Sequence, residues 1–194
     1  MALQGMAATG AGPILVFGDS LSAGYGLRPD EGWVPLLQKR LQSQGYETPV
    51  VNASVSGETS EGGLQRLPRA LQLHKPSLVI LELGANDGLR GLPVPQTRGN
   101  LQKMIELARA AGSSVLLIGM RLPPNYGPRY TADFSNMYAD LAGSDRLPFV
   151  PFLLESVALK PTLMQADGLH PSAHGTPLIL DTVWPRLLPL LPAH

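Results

Sequence analysis

Ser20 is the first residue whose setting suggests a chemical role. It lies in Gly18-Asp19-Ser20-Leu21, directly after a short apolar run. A nucleophilic serine must be exposed at a sharp turn, near N–H groups that can hold an oxyanion. Glycine before the serine relieves crowding, and the following residues can begin a helical turn whose N–H groups point at the reacting atom. An ordinary strand-ending turn has the same composition. Ser20 is therefore a candidate nucleophile, and its assignment depends on finding a base and oxyanion donors elsewhere in the sequence.

Asp167 and His170 lie together in Asp167-Gly168-Leu169-His170, near the C-terminal end. A serine that attacks a carbonyl needs a base, and the base needs a carboxylate that fixes its tautomer and stabilises its protonated form. Two intervening residues on one loop can bring both side chains together, although a capping aspartate beside an unrelated histidine would look alike. The remaining histidines are weaker candidates by spacing or position: His74, His174 and His194.

Two further segments could supply hydrogen-bond donors for an oxyanion. The first is Gly84-Ala85-Asn86-Asp87, where the neutral amide of Asn86 donates without titrating. The second is Ser56-Gly57-Glu58-Thr59, where glycine lets a substrate oxygen approach its N–H closely. Each alone is compatible with an ordinary turn. Together with a nucleophile and a base, they indicate an acyl-transfer site.

The elements that must position these residues follow from the hydrophobic pattern. Short apolar runs predict strands over residues 14–17, 49–52, 78–83, 114–119 and 149–150. Helical spacing of apolar residues predicts helices over 33–44, 60–73, 96–111, 130–141 and 173–190. Pro68 predicts a kink or a break in the second of these helices, and residues 88–95 form a turn-rich stretch.

Strands that alternate with helices predict an α/β fold with a parallel sheet covered on both faces. Ligands bind beyond the carboxyl ends of the strands in open sheets of this type. We predict one domain over residues 13–194, preceded by a flexible segment, 1–12. That segment lacks the charged start and the apolar stretch of a secretory signal.

Composition excludes several classes of protein. The 194-residue chain is 44% hydrophobic, which argues against disorder. Fifteen basic and fifteen acidic side chains balance, so no long-range field attracts nucleic acid or an anionic membrane. The absence of cysteine excludes disulfides and thiolate chemistry, and four scattered histidines offer little to a metal. We therefore expect no cofactor and no metal. No apolar run of ~18 residues predicts a transmembrane helix.

In combination, the four segments resemble the motif blocks of the SGNH (GDSL) hydrolase family. The likeness continues through residues 87–91 and 121–127 and covers nearly the whole chain from Ile14 onward. Within the family, the chain is similar to bacterial thioesterases, lysophospholipases and arylesterases. It departs at Ala85, where close relatives often carry glycine, and we expect this methyl group to narrow the local space without removing the Asn86 donor.

The resemblance implies a flavodoxin-like three-layer α/β/α fold with a five-stranded parallel sheet. It implies a catalytic triad of Ser20, Asp167 and His170, with oxyanion donors from the Ser20 backbone, Gly57 and Asn86. It also implies a small-molecule ester or thioester substrate, such as an aryl ester, an acyl thioester or a lysophospholipid, and a periplasmic or secreted location. Asp19 is expected to bond loop N–H groups rather than to transfer protons.

Two loops, residues 88–95 and 121–126, carry apolar side chains that could bind an acyl chain or could simply pack against the sheet. The candidates for substrate binding are Leu89, Leu92, Leu122, Pro123 and Tyr126.

Several competing interpretations remain. A general α/β-hydrolase is disfavoured because the sequence has no Gly-x-Ser-x-Gly elbow. A nucleotide-binding module would need a phosphate cradle where Asp19 places an anion. A carbohydrate acetylesterase of the same family and a non-catalytic flavodoxin-like binding module stay open as alternatives.

Overall fold

A five-stranded parallel sheet forms the centre of the molecule, in the order β2-β1-β3-β4-β5. The computed structural model describes residues 12–192. Each strand lies within one residue of its predicted bounds. The strands are β1 (Ile14–Gly18), β2 (Val50–Asn52), β3 (Leu78–Glu82), β4 (Ser114–Ile118) and β5 (Phe149–Val150). The predicted flexible segment, 1–12, lies outside the described residues apart from residue 12.

Helices connect the strands and cover both faces of the sheet. They are α1 (Ser20–Ala23), α2 (Trp33–Ser43), α3 (Ser60–His74), α4 (Ala85–Leu89), α5 (Val94–Ala110), α6 (Pro128–Asp145) and α7 (Thr176–Leu187). Helices α2 and α7 pack together on one face, and α3, α5 and α6 pack side by side on the other. The predicted α/β fold with three layers is confirmed. In residues 12–192 no helix is both long and apolar enough to span a bilayer.

Four helices differ most from the sequence prediction, and one of them, α6, begins two residues earlier and ends four residues later than predicted. Helix α3 runs without a break through Pro68, which lies on its exposed side, where water can bond the carbonyl left unpaired. Leu67 and Leu71 on the opposite side are buried in the core, and this packing favours a continuous helix. Helix α4 was not predicted, because its sequence, Ala-Asn-Asp-Gly-Leu, has turn composition and is too short for periodicity to show. Helix α7 begins three residues later than predicted and ends in a 3-10 turn, Leu188–Leu190.

The topology brings the chemical segments to one edge of the sheet. Strand β1 pairs with β2 on one side and β3 on the other, so the chain leaves these strands in different directions and a crevice opens beyond their carboxyl ends. Ser20 follows β1, Gly57 follows β2 and Asn86 follows β3. The loop with Asp167 and His170 comes immediately before α7.

Candidate active site

Ser20, His170 and Asp167 form a continuous chain of hydrogen bonds. The Ser20 Oγ lies 2.8 Å from His170 Nε2, and His170 Nδ1 lies 2.7 Å from Asp167 Oδ2. An ionised carboxylate can only accept, so the proton between these two groups belongs to Nδ1 and Nε2 is left to accept the serine hydroxyl. This arrangement can withdraw the serine proton as the oxygen attacks a carbonyl carbon.

Local hydrogen bonds keep Asp167 ionised. Its Oδ1 accepts from the N–H groups of Leu169 and His170, at 2.9 and 3.0 Å. Partial burial tends to raise the pKa of Asp167, but the backbone and imidazole donors of His170 and the N–H of Leu169 outweigh it and lower the pKa to about 2. The carboxylate is therefore charged throughout the neutral range, where an imidazolium beside it would be stabilised.

Asp19 shapes the turn that presents Ser20. Its Oδ1 caps α1 by accepting from the Leu21 N–H at 3.0 Å, and its Oδ2 accepts from the Asn86 amide at 3.0 Å. The preceding residue must be glycine for the backbone of β1 to approach the Glu82 side chain closely, because a Cβ at Gly18 would lie 2.4 Å from Glu82 Oε2. Asp19 thus bonds the N–H of Leu21 in the first turn of α1 and the side-chain amide of Asn86.

A second buried carboxyl group, Glu82, lies beneath this turn. Its Oε2 accepts from the Ser22 hydroxyl at 2.7 Å and from the Asp19 N–H at 3.3 Å, while Oε1 has no partner among the described residues. Burial raises the pKa of Glu82 well above its ordinary value, and the neighbouring Asp19 carboxylate raises it further. Burial also raises the pKa of Asp19 to about 6, against the opposing effects of the Leu21 N–H, the positive charge that His170 carries when protonated, and the Asn86 amide.

We expect Asp19→Asn to change how stability depends on pH. Since folding raises the pKa of Asp19 from 3.8 to about 6, the folded state holds this proton more tightly than the unfolded state does. The resulting stabilisation is complete below about pH 4 and is lost as the pH rises through 6, a change on the order of 2 kcal/mol. Between pH 4 and pH 7, the free energy of unfolding measured with urea should therefore decline less in the variant than in the wild type. The exposed α6 change Asp140→Asn is the control, and equal declines in all three proteins would contradict the expectation.

The predicted oxyanion donors line one cavity with Ser20, but they are not equally free. Among the described residues, the N–H groups of Ser20 and Gly57 have no hydrogen-bond partner. Gly57 has φ +78, a backbone conformation that favours glycine, and the space where a Cβ would stand is open. The Asn86 amide already donates to Asp19 Oδ2 and to the Glu58 carbonyl, at 3.0 and 2.9 Å. An oxyanion would have to share one of these two hydrogens.

A cavity of about 760 Å³ opens beside Ser20 and His170. This volume is within the usual range for sites that bind small molecules. Its wall is mainly apolar and comes from the segments after β3, β4 and β5. The apolar lining includes Leu89, Met120, Leu122, Pro123, Phe152, Leu154, Leu159, Met164 and Leu169.

The five candidate substrate residues fall in two groups. Leu89, Leu122 and Pro123 line the cavity, and Ala85, the departure from the family pattern, lines it too. Leu92 and Tyr126 are not part of the wall. The Tyr126 hydroxyl instead donates to the Leu89 carbonyl at 2.9 Å, which supports the lining loop from behind.

Sequence reasoning missed Tyr25 and the segment after β5. The Tyr25 ring lies 4.7 Å from the His170 ring, and it borders the cavity. The rule that sites form beyond the carboxyl ends of strands would have included residues 152–159, because they follow β5. No comparable signal marks Tyr25. Within residues 12–192, no three His, Cys, Asp or Glu side chains are grouped so that they could hold a metal ion.

A buried network around Asp87 holds the loops behind the site together. Its carboxylate accepts from the Ser60 N–H and hydroxyl, at 2.8 and 2.5 Å, and from the Thr97 hydroxyl at 3.3 Å. The network thus joins α4 to the first turn of α3 and to α5.

Asp87→Ala is expected to lower the free energy of unfolding by about 2–4 kcal/mol, because it leaves buried donors of Ser60 and Thr97 without an acceptor. Urea denaturation measures the change, with the exposed Asp140→Ala as a control that should stay within about 0.5 kcal/mol. A loss for Asp87→Ala no larger than the control's would show that the network contributes little.

Comparisons with known proteins support the same interpretation of the sequence. Residues 16–176 match the GDSL-like lipase/acylhydrolase family. The chain is 54% identical to the esterase TesA of Pseudomonas aeruginosa, over 92% of this chain and 89% of that protein. It is 45% identical to an arylesterase of Vibrio mimicus, over 90% and 88% of the two chains. It is 46% identical to thioesterase 1/protease 1/lysophospholipase L1 of Escherichia coli K12, over 95% and 87%.

Solved structures agree with the fold. A crystal structure of TesA superposes with a TM-score of 0.90 at 54% identity, covering 92% of this chain and 99% of the other. The psychrotrophic esterase EstA from Pseudoalteromonas sp., inhibited by monoethylphosphonate, superposes with a TM-score of 0.88 at 40% identity, covering 92% and 97%.

Proposed function

The chain belongs to the GDSL-like lipase/acylhydrolase family and is a serine ester hydrolase, and from this premise we propose that Ser20, His170 and Asp167 carry out its reaction. The observation that supports the proposal is the chain of two short hydrogen bonds, 2.8 and 2.7 Å, at the wall of an apolar cavity. The test is the loss of ester hydrolysis in Ser20→Ala.

In the proposed reaction, the imidazole of His170 removes the proton of the Ser20 hydroxyl while the serine oxygen attacks the carbonyl carbon of an ester or thioester. The N–H groups of Ser20 and Gly57 and the amide of Asn86 bind the tetrahedral oxyanion. His170 then gives its proton to the departing alcohol or thiol, which leaves an acyl-enzyme on Ser20. Water, deprotonated by His170, attacks this ester in turn and releases the acid and the free serine.

We propose carboxylic esters and thioesters as substrates, including aryl esters, acyl thioesters and lysophospholipids. The names of the relatives from P. aeruginosa, V. mimicus and E. coli support this range. So does the apolar wall of the cavity, whose edge carries exposed side chains of Tyr25, Leu159 and Leu169. An acyl chain would bury part of this apolar surface, which favours binding.

A series of p-nitrophenyl and CoA esters from two to twelve carbons tests the substrate class. We expect kcat/KM to rise from acetyl to medium-length chains. A carbohydrate acetylesterase would instead prefer acetyl groups sharply, and that outcome would overturn the proposed substrate class while leaving the proposed serine mechanism in place.

Leu159→Ser should lower kcat/KM for decanoyl esters by about 3- to 10-fold, since a leucine side chain that loses contact with the acyl chain forfeits about 1 kcal/mol. Leu159 is 96% exposed, so the change should not affect folding. Butyryl esters, whose shorter chain we do not expect to extend as far as Leu159, should be hydrolysed as before. Leu73→Ser, at an exposed leucine of α3, is the matched control. An equal loss on both esters would argue against an acyl contact at Leu159.

We also propose a periplasmic or secreted location, for which the family resemblance stated from the sequence is the support. The relatives compared above are bacterial proteins. Fractionation of cells that express the natural gene, with activity assayed in each fraction, tests the location.

A further inference from the structure

Two loops face each other at the reaction site. The nucleophile loop comprises residues 19–26 and contains Ser20, and the base loop comprises residues 161–171 and contains His170. Over the described residues, two hydrogen bonds join the loops. One is the bond between Ser20 and His170 themselves, and the other runs from Gln165 Nε2 to the Tyr25 carbonyl, at 2.8 Å.

Gln165 is bonded to the backbone on both sides of the base loop. Its Nε2 donates a second hydrogen to the Pro171 carbonyl at 3.0 Å, and its own N–H donates to the His170 carbonyl at 2.7 Å. The backbone carbonyl of Gln165 accepts from the Gly168 N–H at 3.0 Å. Gln165 thus holds together the two ends of the segment 165–171, which contains His170.

The other end of this connection leads directly to the nucleophile. The Tyr25 N–H donates to the Ser20 carbonyl at 3.1 Å, and the Tyr25 ring contacts the His170 ring at 4.7 Å between centroids. The side chain of Gln165 also lies directly on Gly26, where a Cβ would come 2.2 Å from Gln165 Oε1. The amide is therefore closely packed against the nucleophile loop.

We propose that Gln165 is a positioning residue for the reaction: its amide ties the base loop to the nucleophile loop and so fixes the distance between the His170 imidazole and the Ser20 hydroxyl. The inference rests on the proposed roles of Ser20 and His170. The base loop needs such a tie because residues 166–169 are exposed, and proton transfer is sensitive to small displacements of the base.

The variants Gln165→Ala and Gln165→Glu test the proposal. With p-nitrophenyl butyrate we expect kcat to fall about 5- to 20-fold and KM to change by less than twofold, because the amide does not line the cavity that Ser20 faces. The rate of phosphonylation of Ser20 by a fluorophosphonate should fall in parallel. The control is Gln102→Ala, which removes a partly exposed amide that donates to Glu106 on α5 and should leave every rate unchanged.

The pH dependence separates positioning from general stabilisation. In Gln165→Glu the new carboxylate faces the carbonyl oxygens of Tyr25 and Pro171, which disfavours its ionised form. Once protonated, it again has an O–H to donate to one of them. The ratio of variant to wild-type kcat should therefore rise as the pH is lowered, whereas the ratio for Gln165→Ala should stay flat.

A His170→Ala background supplies the second readout. If Gln165 acts through His170, then Gln165→Ala should cause no further loss in the residual activity of His170→Ala. Thermal melting of the single variants, expected within about 2 °C of the wild type, shows that each is folded. Unchanged kcat in both variants, a flat ratio for Gln165→Glu, or a further loss in the His170→Ala background would each overturn the proposal.

Ser20→Ala, measured beside these variants, distinguishes the two possible failures. If Ser20→Ala is inactive and the Gln165 variants behave as the wild type, only the positioning role fails. If Ser20→Ala remains active, the proposed function fails, and the role of Gln165 fails with it.

Discussion

Ser20→Ala should lower kcat for p-nitrophenyl butyrate by about 10⁴-fold or more, to the residual rate that binding and oxyanion contacts alone can support. The reason is chemical, since alanine has no oxygen to attack the carbonyl and no acyl-enzyme can form. The fold should persist, because the Ser20 hydroxyl makes its one hydrogen bond in the described structure to His170. Steady-state hydrolysis and a circular dichroism melt measure the two effects.

Ser56→Ala is the comparison for this variant. Ser56 is the other serine that lines the cavity, and its hydroxyl makes no hydrogen bond in the described part of the chain. We expect its loss to change kcat by less than about threefold, within the range of a surface substitution. A large loss of kcat in Ser56→Ala together with a small loss in Ser20→Ala would show that Ser20 is not the nucleophile.

Asn86→Ala should lower kcat by about 10² to 10³, the usual effect of removing one oxyanion donor, with a smaller change in KM. The two acceptors that now hold the amide, Asp19 Oδ2 and the Glu58 carbonyl, fix its orientation before substrate binds. A donor that is already oriented needs no reorganisation when charge develops on the substrate oxygen. The loss should therefore appear in the chemical step, which pre-steady-state measurement of the p-nitrophenol burst would show.

Asn125→Ala serves as the control, because Asn125 is exposed in the loop after β4 and makes no hydrogen bond through its side chain in the described structure. Its kcat should match that of the wild type. A loss below about tenfold in Asn86→Ala would mean that the amide serves mainly to hold Asp19 and the Glu58 loop, and that the N–H groups of Ser20 and Gly57 bind the oxyanion alone.

The sheet and the residues at its edge could be predicted because their signals are local. Each strand is a short apolar run, and the two central strands β1 and β3 are buried throughout, whereas the edge strand β2 is only partly buried. Parallel strands then place the segments after β1, β2 and β3 at one edge, whatever the details of the helices. That is why the sequence alone predicts that Ser20, Gly57 and Asn86 lie close together.

The features that escaped prediction depend on contacts between distant segments. Helix α4 is only five residues long and has turn composition. Pro68 fits a continuous α3 because the opposite face of the helix is buried, which the sequence of the helix alone does not reveal. Gln165 and Tyr25 meet across 140 residues, and neither has a residue type or spacing that suggests a role in a reaction site.

The most direct test of the central claim is to identify the residue that an active-site fluorophosphonate modifies, by peptide mass spectrometry, and to measure the rate in the wild type and in His170→Ala. If Ser20 is the nucleophile and His170 its base, the label should be found on the peptide containing Ser20, and the rate should fall by about 10³-fold or more in His170→Ala. Label on another residue, or an equal rate in the two proteins, would contradict the account.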